Sequence, residues 1–274
     1  MLAVIARASR PFPAAIAATL ALLALQLFAA MQAHAAEPLK IGTTSGPIAD
    51  IIRHAAARAK EKGLAVKIVE FSDWVTPNEA LRNGDIDANL FQHVPFLNAA
   101  VAARGYDFKP VAPTYVLAVG LYSKKIKKLD DARSGSTVAI ASDPVNGARG
   151  LLLFEKAGLI KLRDGAGEKA TVTDIVANPK KLKFIEVEAP QLPRVLDDVE
   201  LAQVSISYLI AAGGDPDAAL ITDGFGDARY ALQFVAKTAH ADDPRLKDFI
   251  AIYRSPEVKD YIVKTYGRYL VPVW

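Results

Sequence analysis

Val69-Glu70-Phe71-Ser72-Asp73-Trp74-Val75-Thr76-Pro77-Asn78-Glu79-Ala80-Leu81, followed by Gly84-Asp85-Ile86-Asp87-Ala88-Asn89-Leu90-Phe91-Gln92-His93-Val94-Pro95, decides the fold. An apolar strand over 65–71 runs into an aromatic loop. Thr76-Pro77-Asn78-Glu79 has the Thr-x-x-Glu form of a capping box with Pro at the first helical position, and that helix closes near Asn83-Gly84. A second strand over 86–91 then carries Phe91 and His93 toward its end. Two strand ends that offer rings at one edge of a sheet stand where open α/β sheets bind small ligands.

The same rhythm extends in both directions. Upstream, a strand over 39–43 breaks at Thr44-Ser45-Gly46-Pro47, and Ile48, Ile51, Ile52, Ala55 and Ala59 recur at helical spacing until Gly63. Downstream, 111–122 reads as one long strand, and Lys124, Lys125, Lys127 and Lys128 read as a solvated surface turn before a helix start at 129–131. A second cycle begins with a strand over 137–141 and a helix carrying Leu151 to Phe154, closed by Gly158. Further strands are predicted over 183–187, 201–206 and 231–236. Terminal helices are predicted over 243–253 and 255–266, the latter with Ser255-Pro256 as N-cap and first residue. Such β-α-β-α alternation predicts a mainly parallel sheet with helices on both faces, and two cycles of roughly 80–110 residues predict two lobes.

The first 36 residues stand apart from this pattern. Arg7 and Arg10 precede a nearly unbroken Ala/Leu-rich run, and Ala33-His34-Ala35 is a small-x-small exit. Residues 1–36 read as a secretory signal peptide cut after Ala35 or Ala36. The alternative is a retained anchor, because the run approaches the ~20 residues that span a bilayer. Without its two arginines the remainder holds 31 basic and 30 acidic residues, a balance unlike the basic stripe of a nucleic-acid binder. The 274 residues include no cysteine, which rules out disulfides and a lipid-modified cysteine alike. Beyond residue 36 no apolar run is long enough to cross a membrane.

Several further segments occur in a fixed order: Gly120-Leu121-Tyr122-Ser123-Lys124-Lys125, Ala157-Gly158-Leu159-Ile160-Lys161-Leu162, Asn178-Pro179-Lys180, and Gln191-Leu192-Pro193-Arg194. With the opening stretch, this set resembles the NlpA/MetQ family, the periplasmic methionine-binding components of ABC importers. The resemblance implies an α/β, two-lobed periplasmic-binding-protein fold (type II) with the ligand cleft between the lobes. By it, 37–119 plus 234–274 form lobe 1, 120–233 form lobe 2, and the hinges lie near Val119-Gly120 and Phe234. It implies a solute-binding protein that delivers a small amino-acid-like ligand, methionine first, to ABC permease transmembrane subunits, as a monomer and with no cofactor. Most relatives are lipoproteins tethered through a cysteine. This cysteine-free chain is therefore expected to be periplasmic and not lipid-anchored.

In the family, methionine places its thioether among rings and its carboxylate on an arginine. By position, Trp74, Phe91, His93 and Phe96 would line the side-chain pocket, where sulfur–aromatic contacts are worth ~0.3–1.5 kcal/mol each. Without the resemblance, Trp74 and Phe91 read first as core rings, and His93 alone reads as a structural histidine. Arg149, in Asp143-Pro144-Val145-Asn146-Gly147-Ala148-Arg149, stands where the family keeps its carboxylate-binding arginine, and a guanidinium fork matches a carboxylate. Ser205, Leu232 and Ser142 depart from the pattern, each replacing an asparagine. A ligand asparagine replaced by Leu232 leaves an ammonium without a partner, which costs ~1–3 kcal/mol. A carboxylate with an apolar or thioether tail and no α-amino group is therefore the alternative ligand.

A periplasmic enzyme is the competing class, but the chain has no cysteine, no Gly-x-Ser-x-Gly elbow and no glycine-rich phosphate loop. His54, His93 and His240 are widely separated and lack metal-ligand spacing. A third class, a structural or signalling role, would use the lobe tips as docking surfaces.

Overall fold

The computed structural model describes residues 37–274. Strand β1 (Leu39–Thr44) leads through helix α1 (Pro47–Glu61) to β2 (Val66–Phe71). Helix α2 (Thr76–Asn83), β3 (Ala88–His93) and α3 (Val94–Arg104) follow, then β4 (Phe108–Pro113). Helix α1 buries Ile48, Ile51, Ile52, Ala55 and Ala59, the predicted apolar face. The stripe packs on Leu39 and Ile41 of β1 and Leu90 of β3, within a core that also holds Phe234, Phe249 and Tyr253.

Past β4 the chain forms β5 (Tyr115–Leu117) and β6 (Val119–Tyr122), so the single strand predicted over 111–122 is three. The reason is their partners. β4 pairs with β13 (Leu232–Lys237), β5 with β14 (Leu270–Pro272), and β6 with β11 (Leu201–Ser205) and β12 (Ile221–Thr222). The run is apolar throughout because it passes from one sheet to the other while staying buried.

Two five-stranded sheets result, in orders β2-β1-β3-β13-β4 and β10-β7-β11-β6-β12. In the second, β7 (Thr137–Ala141) is parallel to β10 (Lys183–Val187) and to β11. β6 runs antiparallel to its neighbours there, as β13 does in the first sheet. The short β8 (Lys161–Leu162) and β9 (Ile175–Ala177) pair with each other. Helix α4 (Pro144–Lys156) buries Leu151, Leu153 and Phe154 against Val138, Ile140 and Leu201 of the second sheet. Two short helices, α5 (Leu192–Val195) and α6 (Ile206–Ala211), flank β11, and α7 (Pro244–Tyr253) and α8 (Pro256–Tyr266) close the chain, with Ser255 capping α8 as predicted. Among the described residues no helix is long and apolar enough to cross a membrane. The expected signal peptide lies outside the described residues.

The capping box at Thr76 does not form. Thr76 is already helical, and Asp73 takes over as acceptor: its Oδ1 receives the Val75 and Thr76 N–H groups, each at 2.7 Å. Glu79 is drawn away to Tyr106, Arg82 and Arg104. The helix start survives because an Asp acceptor ahead of it does the same work. The strand predicted over 86–91 also begins later, at Ala88. Asp87 precedes it, its carboxylate accepting the Lys40 N–H at 2.7 Å.

Candidate functional site

Trp74, Phe91, His93, Phe96, Arg149, Ser205 and Leu232 all line one cavity between the two sheets. The first sheet supplies the rings. Phe91 and His93 end β3, Phe96 lies in the first turn of α3, and Trp74 comes from the loop before α2. Phe96 meets Trp74, Phe91 and His93 edge-on at centroid distances of 5.8, 6.0 and 6.3 Å. Edge-to-face contact sets the positive rim of one ring on the negative face of another, which fixes the cluster's shape. Tyr208 of α6 adds a tilted ring 5.3 Å from Trp74.

Behind the rings, a buried amide cluster holds the Trp74 loop to β3. Gln92 exchanges two hydrogen bonds with Asn78 of α2, at 2.8 and 3.1 Å, and donates to Asn89 at 3.0 Å. Every buried amide there finds a partner, as low polarity demands.

Arg149 enters from α4 and is buried. Its Nε donates to Asp223 Oδ2 at 2.5 Å and one terminal nitrogen donates to the Leu117 carbonyl at 3.2 Å. The guanidinium lies 4.0 Å over the ring of Tyr230. Asp223 also accepts the Val119 N–H at 2.9 Å. The cavity's cation therefore carries its own counter-ion, yet keeps terminal N–H groups beyond these two bonds.

His93 accepts the Phe96 N–H on Nδ1 at 3.2 Å and caps α3 in doing so. Its Nε2 lies 3.3 Å from Asn146 Oδ1. Burial first, then the Arg149 charge, push its pKa down to about 3, against smaller lifts from the Asn146 and backbone hydrogen bonds, so the ring is neutral at physiological pH.

Leu232 is buried, lies opposite His93 in the β13–β3 register and presents no polar atom to the cavity. Ser205 is 3.1 Å from the hydroxyl of Ser207. Ser142 differs from these two: it is exposed and does not line the cavity. No Asp or Glu lines it either. Asn146, Gln203, Asp223 and Tyr230 escaped the sequence analysis. For Gln203 there was a signal, a lone polar residue inside the apolar run of β11. Among the described residues, no three His, Cys, Asp or Glu side chains are grouped to hold a metal ion.

A largely apolar cleft between two α/β sheets, ringed on one side and with an arginine on the other, is the architecture of a substrate-binding protein. The model of the NlpA lipoprotein family matches residues 39–274. The D-methionine-binding lipoprotein MetQ of Salmonella typhimurium is 44% identical over 241 residues, covering 86% of this chain and 88% of that one. Its Escherichia coli K12 counterpart is 43% identical over 241 residues, with the same coverage. Among solved structures, the methionine-binding protein MetQ superimposes with TM-score 0.83 at 42% identity, covering 86% of this chain and 98% of that one. A nutrient-binding protein of Burkholderia cenocepacia bound to methionine gives 0.82 at 41%, covering 86% and 100%. The chain belongs to the NlpA lipoprotein family, with the two-lobed periplasmic-binding-protein fold, and its role is solute binding for an ABC importer.

Proposed function

We propose that this chain captures methionine, or a carboxylate closely like it, in the cleft between its sheets and hands it to the membrane subunits of an ABC importer. The observation that carries this is the convergence of four rings and Arg149 on one cavity. The rings suit a thioether tail, and the terminal N–H groups of Arg149 suit a carboxylate. Lobe 1 (37–119 plus 234–274) and lobe 2 (120–233) close on the ligand about two hinges, one near Val119-Gly120 and one over 223–231; the second hinge precedes Phe234, because Leu232 and Gln233 already belong to β13 of the first sheet and go with lobe 1. The closed monomer then presents both lobe tips to the permease. With no cysteine to acylate, the protein works free in the periplasm after signal cleavage, unlike its lipoprotein relatives.

A second ligand class has its own support. Leu232 faces the cavity, no carboxylate lines it, and the Ser205 and Ser207 hydroxyls already face each other. An ammonium placed there finds few free acceptors, a cost of ~1–3 kcal/mol. The 2-hydroxy analogue of methionine carries no charge there and asks for one acceptor in place of three.

The test is calorimetric titration of protein unfolded and refolded to strip any bound ligand, with L-methionine, D-methionine and the 2-hydroxy analogue. Submicromolar binding of either enantiomer supports the first reading. In that case Trp74→Ala should weaken binding about tenfold through lost ring contact. Binding of the hydroxy acid alone selects the second reading, and binding of none by a well-folded protein refutes both.

A further inference from the structure

An unbroken line of hydrogen bonds joins the two sheets along the wall of the ligand cavity. The Ala141 N–H at the end of β7 donates to Gln203 Oε1 at 2.9 Å, and Gln203 Nε2 donates to the Asn146 carbonyl at 2.7 Å. Asn146 turns its Nδ2 toward the two oxygens of Asp143, at 3.0 and 3.2 Å. That orientation leaves Asn146 Oδ1 facing His93 Nε2 across the cleft. On the far side the Phe96 N–H points at His93 Nδ1.

Only one protonation state satisfies both ends. Nδ1 must accept from Phe96, so the proton sits on Nε2 and is donated to Asn146. An imidazolium would set an N–H against the Phe96 N–H and add a second buried cation beside Arg149. An ion pair between the halves, Arg268 with Asp217, is exposed to solvent and screened.

We infer that His93 and Asn146 form a latch across the cleft that fastens only while His93 is uncharged, so the closed state loosens as the pH falls below the ordinary imidazole range. The inference rests on the proposed closure about ligand. Asn146 and Gln203 act in it as positioning residues. The charged and titratable groups around the ring are Arg149 and Asp143 from α4, with Tyr230 5.1 Å away and Asp223, Asp227 and Arg229 beyond it. Arg149 opposes a charge on His93. Asp143 is occupied by the N–H groups of Asn146 and is itself raised in pKa by burial.

The sign follows from linkage. The closed state holds His93 at about 3, whereas a ring open to water titrates near ~6.5. The latch therefore contributes in full above ~6.5 and is lost as the pH falls from there toward the lower value. The Phe96 N–H stays on Nδ1 when the lobes part, so one such proton weakens ligand by at most about 25-fold between about pH 7 and about pH 5.

The experiment titrates L-methionine by calorimetry across that range with the wild type, His93→Asn and Asn146→Ala. Asparagine at position 93 still caps α3 but is too short to reach Asn146 and does not titrate. The wild type should lose affinity severalfold, up to about 25-fold. His93→Asn should bind more weakly at neutral pH and show no slope, and Asn146→Ala should bind more weakly at neutral pH. A flat wild-type profile, or an unchanged slope in His93→Asn, overturns the latch. Spin labels at Lys62→Cys and Lys161→Cys, in a chain otherwise free of cysteine, give a readout that needs no ligand. If methionine does not bind, the proposed ligand fails, and the labels decide the latch alone. The short-distance population should shrink at acid pH in the wild type and not in His93→Asn. Identical wild-type distributions at both pH values overturn it.

Discussion

Neutralising Asp223 probes the charge balance of the cavity directly. In Asp223→Asn one of two contacts must fail, because an amide offers a single acceptor where the carboxylate serves both Arg149 Nε and the Val119 N–H. Arg149, 5% exposed, then lies buried without its counter-ion. Breaking a buried pair by removing one partner costs about 3–5 kcal/mol. Asp223 is 21% exposed, and partial screening brings the expected cost to about 2 kcal/mol. In a folded unit of this size that lowers the melting temperature by about 4–8 °C. The same change leaves a ligand carboxylate as the sole anion on the guanidinium. Scanning calorimetry near neutral pH should therefore show a larger ligand-induced rise in the variant than in the wild type. A loss under about 1 °C would mean the pair is energetically idle. An equal ligand-induced rise would mean the carboxylate does not sit on Arg149.

Two further outcomes follow from Gly150 and Glu200. A Cβ on Gly150 would lie 2.2 Å from Gln203 Oε1 and 3.1 Å from Ile140 Cγ2, so Gly150→Ala must push Gln203 off Ala141 and Asn146. We expect a stability loss of about 1–3 kcal/mol and weaker ligand binding; unchanged affinity by calorimetry would deny Gln203 any part in holding the site. Glu200, buried, receives the Arg133 backbone N–H at 3.0 Å and its guanidinium at 3.1 and 2.7 Å, and these bonds hold its pKa at about 2. A depressed carboxylate stabilises fully above its ordinary ~4.3 and loses that contribution as the pH falls through its folded value. Glu200→Gln should thus melt below the wild type near neutral pH, with the gap closing in acid; a gap that ignores pH contradicts the assignment.

The helix faces were legible because Ile48, Ile51 and Ile52 repeat with the helix period and nothing competes with that pattern. Phe91 and His93 were legible as strand-end residues, where a cavity forms, but that they line it rather than fill the core came from the family resemblance. The break of 111–122 into three strands was not legible. A run buried on both faces has no alternation, and the partners that divide it, β13 and β14, come from the far end of the chain. The Thr76 capping box misled because Asp73 supplies a competing acceptor three residues earlier. Asp223 and Tyr230 sit in an irregular stretch where no period marks a residue as inward-facing, and only the folded chain brings them to Arg149. Asn146 looked like one more polar residue in a helix's first turn. Its role depends on a histidine from the other sheet.

The place of β13 between β3 and β4 has a consequence for the order in which this chain can assemble. Every strand of the second sheet falls within residues 119–222, so that sheet is complete in one continuous stretch. The first sheet cannot be finished until Leu232–Lys237 exists, and its completion closes a loop spanning residues 94–231. A chain emerging N-terminus first therefore holds β3 and β4 without their shared neighbour throughout the synthesis of the second sheet. The entropy of closing that loop grows only slowly with its length, and it falls further still if the second sheet has already folded and shortened the span. The later-born half of the molecule is thus the part that can fold first, and it acts as the staple that brings the two ends of the earlier half together.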